Sequence, residues 1–133
     1  MLRAKAPLKI STLRSDQAPS KGKAMDQHAI VIADRNGVIR LWSEGAERLI
    51  GHPAASAVGQ KLDLIVPPEF RPQHWHGFGM VMDGGPAGSA GQFFDLPVKC
   101  RGGETKTLRG QLHVLRNESS SAIGAMAIFT APV

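Results

Sequence analysis

Apolar runs and period-two alternation divide the chain into a hairpin, several short helices and three later strands. Ala29-Ile30-Val31-Ile32-Ala33 is apolar and rich in β-branched residues, and Val38-Ile39-Arg40-Leu41-Trp42 follows across Asp34-Arg35-Asn36-Gly37. Two such runs joined by an Asn-Gly turn predict a β-hairpin. Ser43 to Ile50 reads as a brief helix, with Ser43 as N-cap and Gly51 beyond its C-terminus. Pro53 opens another turn of helix across Ala54 to Val58, which Gly59 stops. After the apolar run Leu62 to Val66 and Pro67-Pro68, the stretch Arg71-Pro72-Gln73-His74-Trp75-His76-Gly77-Phe78 predicts a further short helix. On a 3.6-residue period Phe78 and Met82 lie one and two turns beyond His74 on one apolar face, and His76 points roughly opposite.

The second half changes rhythm. Gly84-Gly85-Pro86-Ala87-Gly88-Ser89-Ala90-Gly91 is glycine-rich and nearly uncharged. No Gly-Lys-Ser/Thr follows and no helix starts at its end, so it reads as a loop rather than a phosphate cradle. Gln92 to Lys99, Thr105 to Arg116 and Ala122 to Thr130 then read as strands, with turns at Gly102-Gly103 and Asn117 to Ser121. The expected product is an α+β fold, a five-stranded antiparallel sheet with short helices packed on one face. Alternation places Leu108, Gly110, Leu112 and Val114 inward, and Gln92, Phe94, Leu96 and Val98 inward on the preceding strand. Gln92 is then a polar side chain at the rim of an apolar wall. His113 falls on the outward parity, which argues against it as a ligand.

Length and charge bound these readings. At 133 residues the chain has room for one domain with a genuine core and not for two ordinary ones. The net charge of +5 resides in Met1 to Lys23, where Arg3, Lys5, Lys9, Arg14, Lys21 and Lys23 stand against Asp16, and the remainder is balanced. Residues 1–24 are therefore expected to form a basic, flexible arm, and residues 25–133 a single domain. A basic tail without aromatic interleaving or a helical recognition motif implies no specific nucleic-acid partner. No run approaches the roughly 18 apolar residues of a membrane span, and no apolar secretory segment opens the chain, so the expectation is a cytoplasmic protein. The one cysteine, Cys100, excludes an internal disulfide and any multi-cysteine metal site.

Candidate chemistry centres on His74. A neutral imidazole held against apolar side chains is the arrangement haem iron needs from a proximal ligand. The pair His74-x-His76 would chelate a metal poorly, because on a helix two residues i and i+2 lie about 200° apart, and no third ligand has suitable spacing. No serine, histidine and acid combination forms a hydrolase motif, so an enzyme is not expected.

The stretch Asp34-Arg35-Asn36-Gly37-Val38-Ile39-Arg40-Leu41-Trp42-Ser43-Glu44-Gly45-Ala46-Glu47-Arg48-Leu49-Ile50-Gly51-His52 resembles the front half of a PAS domain. Gly59-Gln60-Lys61-Leu62-Asp63-Leu64-Ile65-Val66-Pro67 continues the likeness, which runs from about Asp26 to Thr130. PAS domains host haem, flavin, chromophores, small metabolites or nothing, so the fold alone leaves the ligand open. Cys100 sits outside any Asn-Cys-Arg-Phe-like helix of the flavin-adduct type. The coumaroyl type depends on tyrosines, of which this chain has none.

Arg71-Pro72-Gln73-His74 resembles, more narrowly, the segment that carries the proximal haem histidine in the FixL type of oxygen-sensing histidine kinase and the Dos type of haem-regulated phosphodiesterase. That resemblance implies haem b, iron protoporphyrin IX, with His74 as axial metal ligand. The pocket is then expected to include Trp75, Phe78, Met82, Gln92, Phe94, Leu96 and Leu112, with the strand from Gln92 as its distal wall. A diatomic gas would be the signal, read by a homodimer or a separate partner protein. The distal arginine of those sensors corresponds to Phe94, and the sixth-ligand methionine of the Dos type to Gln92. Oxygen binding would thus rest on Gln92. No Lys or Arg occurs from Gly77 to Gly91, so the propionates would face water or reach Arg71, His76 or Arg101. The chain ends at Thr130-Ala131-Pro132-Val133 without the Asp-Ile/Val-Thr linker into an output domain, so the signal is expected to pass through the surface. The alternative is a cofactor-free PAS dimerisation or interaction module.

Overall fold

A computed structural model describes residues 28–88 and 90–131; the basic arm expected over 1–24 lies outside them. Strands β1 (His28–Asp34), β2 (Ile39–Trp42), β3 (Phe93–Lys99), β4 (Thr105–Arg116) and β5 (Ala122–Thr130) form one antiparallel sheet in the order β2-β1-β5-β4-β3. Helices α1 (Glu44–Leu49), α2 (Ala54–Ala57) and α3 (Arg71–Met82), with 3-10 turns at Leu62–Leu64 and Pro68–Phe70, fill the long crossover between β2 and β3. The expected hairpin, helices and strands are present. Several boundaries shift by a residue, and the one that bears on the site is the third strand, which begins at Phe93 rather than Gln92.

Local chemistry fixes the crossover. Ser43 Oγ accepts from Ala46 N at 3.2 Å, capping α1, and from Ile30 N at 2.8 Å, which ties that cap to β1. The segment after α2 runs along the outer edge of β2. There Ile39 N donates to Gln60 O, Gly59 N to Ile39 O and Leu62 N to Gly37 O, so that edge is covered rather than left open. Pro97 interrupts β3, the opposite edge, where a missing N–H costs little.

Ala29, Val31, Ile39, Trp42, Ala46, Ile50, Leu108 and Phe129 belong to one buried cluster, against which Trp75 and Phe78 of α3 pack. Cys100, just past β3, is a buried free thiol whose pKa burial pushes up, which leaves it unreactive. Among the described residues no helix is long and apolar enough to cross a membrane.

Helix α3 is the weakest element by composition. It contains Gly77 and Gly79, carries Pro72 in its first turn, and has no side-chain N-cap hydrogen bond. Tertiary ties hold it instead. At its start Arg71 Nε donates to Val66 O at 3.0 Å and Arg71 Nη2 to Asp63 O at 3.1 Å. The Trp75 indole N–H donates to Asp63 Oδ1 at 2.6 Å, and its ring rests on the β1–β2 turn at Gly37, where φ is +77° and a Cβ would collide with the ring. At its end Arg35 Nη1 donates to Met82 O at 2.6 Å and to Ala122 O at 3.1 Å, joining the helix C-terminus to the start of β5.

Two substitutions test this account. Ser43→Ala removes the cap and its link to β1, and should lower unfolding free energy by about 1–2 kcal/mol, read as a lower urea midpoint at unchanged slope. A Cβ at Gly79 meets nothing within 4 Å, so Gly79→Ala should raise stability by about 0.5–1 kcal/mol in the same assay.

Candidate functional site

Strand alternation and register build the floor of a cavity. Val31 pairs with β5 at Ala127, and Ala33 with Ala125. Leu112 lies opposite Ala127 on the other side of β5, and Val114 opposite Ala125. One face of the sheet thus presents a patch of alanines between larger side chains. Across from that patch stands α3, with His74, Phe78 and Met82 on its inner side. Small residues below and a helix tied at both ends leave a hollow of about 710 Å³, inside the roughly 300–1,000 Å³ range of ligand pockets. Leu62, Ile65, Val66 and Pro67 close one end, and Pro86, Ala87 and Gly88 of the glycine-rich loop contribute to the wall.

The lining is almost entirely apolar. Among the described residues, its only side chains with nitrogen are Gln73, His74 and His113. The His74 ring stacks on Phe78, with centroids 5.8 Å apart and planes at 29°, and meets Trp75 edge-on at 4.8 Å. His74 Nδ1 is buried and has no hydrogen-bond partner. Burial lowers the His74 pKa below its ordinary 6.5, while the nearby Asp63 carboxylate acts in the opposite direction. The ring is therefore neutral at physiological pH.

Of the residues expected at the site, His74, Phe78, Met82, Leu96 and Leu112 line the cavity, and Trp75, Gln92 and Phe94 do not. Trp75 faces the other way, onto Gly37 and Asp63, with Lys61 Nζ 5.3 Å from its ring centre. It anchors the helix that carries His74 instead of walling the hollow. Gln92 is exposed, because β3 starts one residue later and Gly91 N, just before it, donates to Leu112 O. Phe94 is half-buried and pairs with Gly110, which is also outside the lining. His76 is exposed on the far side of the helix, as the helical period requires. His113 does line the hollow, although its strand parity is opposite to that of Leu112 and Val114.

Val31, Ala33, Ala125, Ala127 and Phe129, which make the floor, were not singled out from the sequence. The signal was there in the alternation of the last strand, Ala125, Ala127 and Phe129 sharing one parity. Its meaning depends on β5 lying at the centre of the sheet, which alternation does not specify.

These residues meet the requirements of haem on the iron side. The neutral His74 imidazole lines an apolar volume of suitable size, while its Nδ1 is enclosed by protein and has no hydrogen-bond partner. The propionate side is different. Arg71 is committed to backbone carbonyls, Arg101 packs against Gly51 near α1, and neither lines the cavity. No Lys or Arg lines the hollow among the described residues, so propionates there would have to be solvated.

The lowered pKa has a consequence for stability. Burial also lowers the pKa of His52, with Arg101 and Lys99 adding to the effect. Both imidazoles bind fewer protons folded than unfolded, so the stability they contribute is complete above pH 6.5, the ordinary value, and is lost as pH falls below it toward the folded values. His74→Gln should flatten the decline in Tm between about pH 7 and pH 5, leaving the part due to His52. An unchanged decline would mean that residue 74 does not resist protonation in the fold.

Comparison with known proteins follows the geometry. A family model described as PAS fold matches residues 25–131. The chain is 37% identical over 46 residues to Sensor protein FixL of Bradyrhizobium diazoefficiens, a stretch that is 35% of this chain and 9% of that protein's length. The PAS domain of the protein from Colwellia psychrerythraea superposes with a TM-score of 0.68 at 20% identity, covering 86% of this chain and 95% of that one. The RpfR quorum-sensing receptor PAS domain of Cronobacter turicensis, in complex with C12:0, superposes at 0.60 and 17% identity, covering 80% and 95%. At these identities the structural neighbours carry the fold alone. With a family model spanning nearly all of the described residues and a five-stranded sheet in the order β2-β1-β5-β4-β3, the chain belongs to the PAS domain family.

Proposed function

We propose that this PAS sensor domain binds haem b with His74 as the iron ligand, and that a diatomic gas (carbon monoxide, nitric oxide or oxygen) or a change of redox state at the iron is the signal. The observation that carries the reading is a neutral imidazole, that of His74, in the wall of an apolar hollow of about 710 Å³. When bound, haem would supply an iron centre whose ligation and redox state respond to small molecules. The chain's own residues orient the imidazole through Phe78 and Trp75, keep water from it with apolar walls, and tie its helix at both ends. The likeness of Arg71-Pro72-Gln73-His74 to the FixL and Dos segment adds support, as does the partial match to Sensor protein FixL.

Output by protein–protein contact, with a second copy or a separate partner, draws support from the outward sheet face. Register aligns Leu41, Ile32, Met126 and His113 in one row, the last two also bordering the hollow, and Ile30, Ile128, Gln111 and Phe93 in the next. Leu41 and Phe93 are 42% and 55% exposed. The same rows favour the second reading, a cofactor-free interaction module. That module would fill its interior with Phe78, Phe93 or Phe94, Met80 or Met82, and leucines; Phe78 and Met82 border the hollow, whereas Phe93 and Met80 are 55% and 51% exposed.

Protein expressed with sufficient haem is expected to carry a Soret band that His74→Ala shifts or abolishes. Several hundred Å² of porphyrin buried at roughly 25 cal/mol per Å² gives on the order of 10 kcal/mol before entropy costs, so the variant should change its spectrum more than its haem content. A spectrum identical to that of the unaltered protein removes His74 as the ligand, and failure to take up haem leaves the interaction module.

A further inference from the structure

We propose that a second pocket, separate from the hollow, binds a small phosphate, as the free anion or as a compact monoester, between the guanidinium groups of Arg35 and Arg116. The pocket has a volume of about 400 Å³ and lies where three pieces of chain meet. Arg35 comes from the β1–β2 turn, Met82 and Asp83 from the end of α3, and Arg116, Ser120 and Ser121 from the end of β4 and the turn that follows it. Among the described residues, Met82 is the one its lining shares with the hollow. Nothing at this pocket depends on what His74 binds.

Both arginines keep donors in reserve. A guanidinium carries five N–H donors in a planar fork. Arg35 directs Nη1 at Met82 O, 2.6 Å away, and at Ala122 O, 3.1 Å away, and these two carbonyls fix the plane of the group. Its Nη2 meets Asp83 Oδ1 at 3.4 Å, a long contact to a side chain that is 78% exposed, so a competing anion can displace it. Arg116 donates from Nη1 to Ser120 O at 3.1 Å, and its Nε and Nη2 have no partner among the described residues. The hydroxyls of Ser120 and Ser121 are likewise unpaired there. Asn117 fixes their turn, its Oδ1 accepting from Ser119 N at 2.9 Å and from Ser121 N at 3.0 Å. Two cationic forks and two hydroxyls therefore border one space that contains a single carboxylate.

Charge and directions of approach select the ligand. Arg35 and Arg116 against Asp83 leave the pocket positive, which favours an anion, and above all one with more than a single charge. Guanidinium forks pair with carboxylates and phosphates alike. A carboxylate presents two oxygens in one plane, which suits one fork, whereas the tetrahedral oxygens of phosphate can accept from donors on separate elements at once. At about 400 Å³ the space stands toward the low end of ligand pockets, which fits a compact ligand. A phosphate held there links the end of α3 to the β4–β5 turn.

The test titrates the full chain with inorganic phosphate at constant ionic strength, chloride being the balancing anion, and reads the amide NMR shifts of Gly84, Ser120 and Ser121. Saturable shifts at those residues are expected. Arg35 also ties α3, so the variants are made elsewhere. Arg116→Gln should weaken binding by about tenfold or more, and Asp83→Asn, which removes the competing carboxylate, should tighten it by about threefold or more. Opposite signs from two neighbouring substitutions separate a site from a general loosening of the fold, and Asp83→Asn decides alone if Arg116→Gln does not fold.

Glycerol phosphate and acetate are titrated in parallel. Saturation by glycerol phosphate assigns the pocket to a monoester, and saturation by inorganic phosphate alone assigns it to the free anion. Acetate bound as tightly as phosphate overturns the choice of ligand. Shifts that do not saturate, that spare Gly84, Ser120 and Ser121, or that neither variant alters overturn the site itself.

Discussion

A patch of alanines in the middle of the sheet is the constraint on which the rest depends. Val31 and Ala33 on β1 pair with Ala127 and Ala125 on β5, which pair in turn with Leu112 and Val114 on β4. Interiors normally pack at crystal-like density, so a face this short of side-chain volume must either draw the helix down or leave space. Here α3 is not free to descend. Arg71 and Trp75 hold its first turns to Asp63 and to the Val66 carbonyl, and Arg35 holds the Met82 carbonyl at its last. The hollow is what remains between a floor that is too low and a roof fixed at its ends.

The same ties explain why a poor helix sequence forms a helix. Gly77 and Gly79 each cost up to about 1 kcal/mol relative to alanine, and no side chain caps the N-terminus. In exchange the backbone near His74 is thin, and a Cβ at either glycine would meet open space. Such a helix is stabilised at its termini and soft in its middle. Elements that respond to ligands are drawn from such low-stability regions.

Much of the architecture was legible in the sequence because it rests on local rules. The Asn-Gly turn, the Ser43 cap and the period-two strands each state their conformation within a few residues, and each is found where expected. The face shared by His74, Phe78 and Met82 follows from helical period alone, and all three line the hollow. What was not legible depends on long-range geometry. Trp75 neighbours His74 in sequence but points a helical step away, toward Gly37 and Asp63, which are adjacent only after the hairpin folds back. Gln92 fails through a one-residue strand boundary, and a shift of one residue at a strand end decides whether a side chain belongs to the wall or to solvent.

The geometry also bears on how an occupant could be felt at the surface. The Arg35 guanidinium bridges Met82 O at the end of α3 and Ala122 O at the start of β5, while its backbone belongs to the β1–β2 turn. Trp75, on the same helix, rests on Gly37 of that turn. Both ends of α3 therefore meet the hairpin, and Ile32, which the hairpin carries beside Met126, faces outward. A ligand shifts such an arrangement only by as much as it binds one position of α3 better than another, and a hundredfold shift in population requires about 2.7 kcal/mol of difference. An apolar hollow could supply that difference through His74, because a bond to its ring would depend steeply on where the helix stands, whereas contacts with alanine and leucine change little over the same displacement. The His74 imidazole, held in the wall by α3, is thus also the group best placed to convert occupancy into movement.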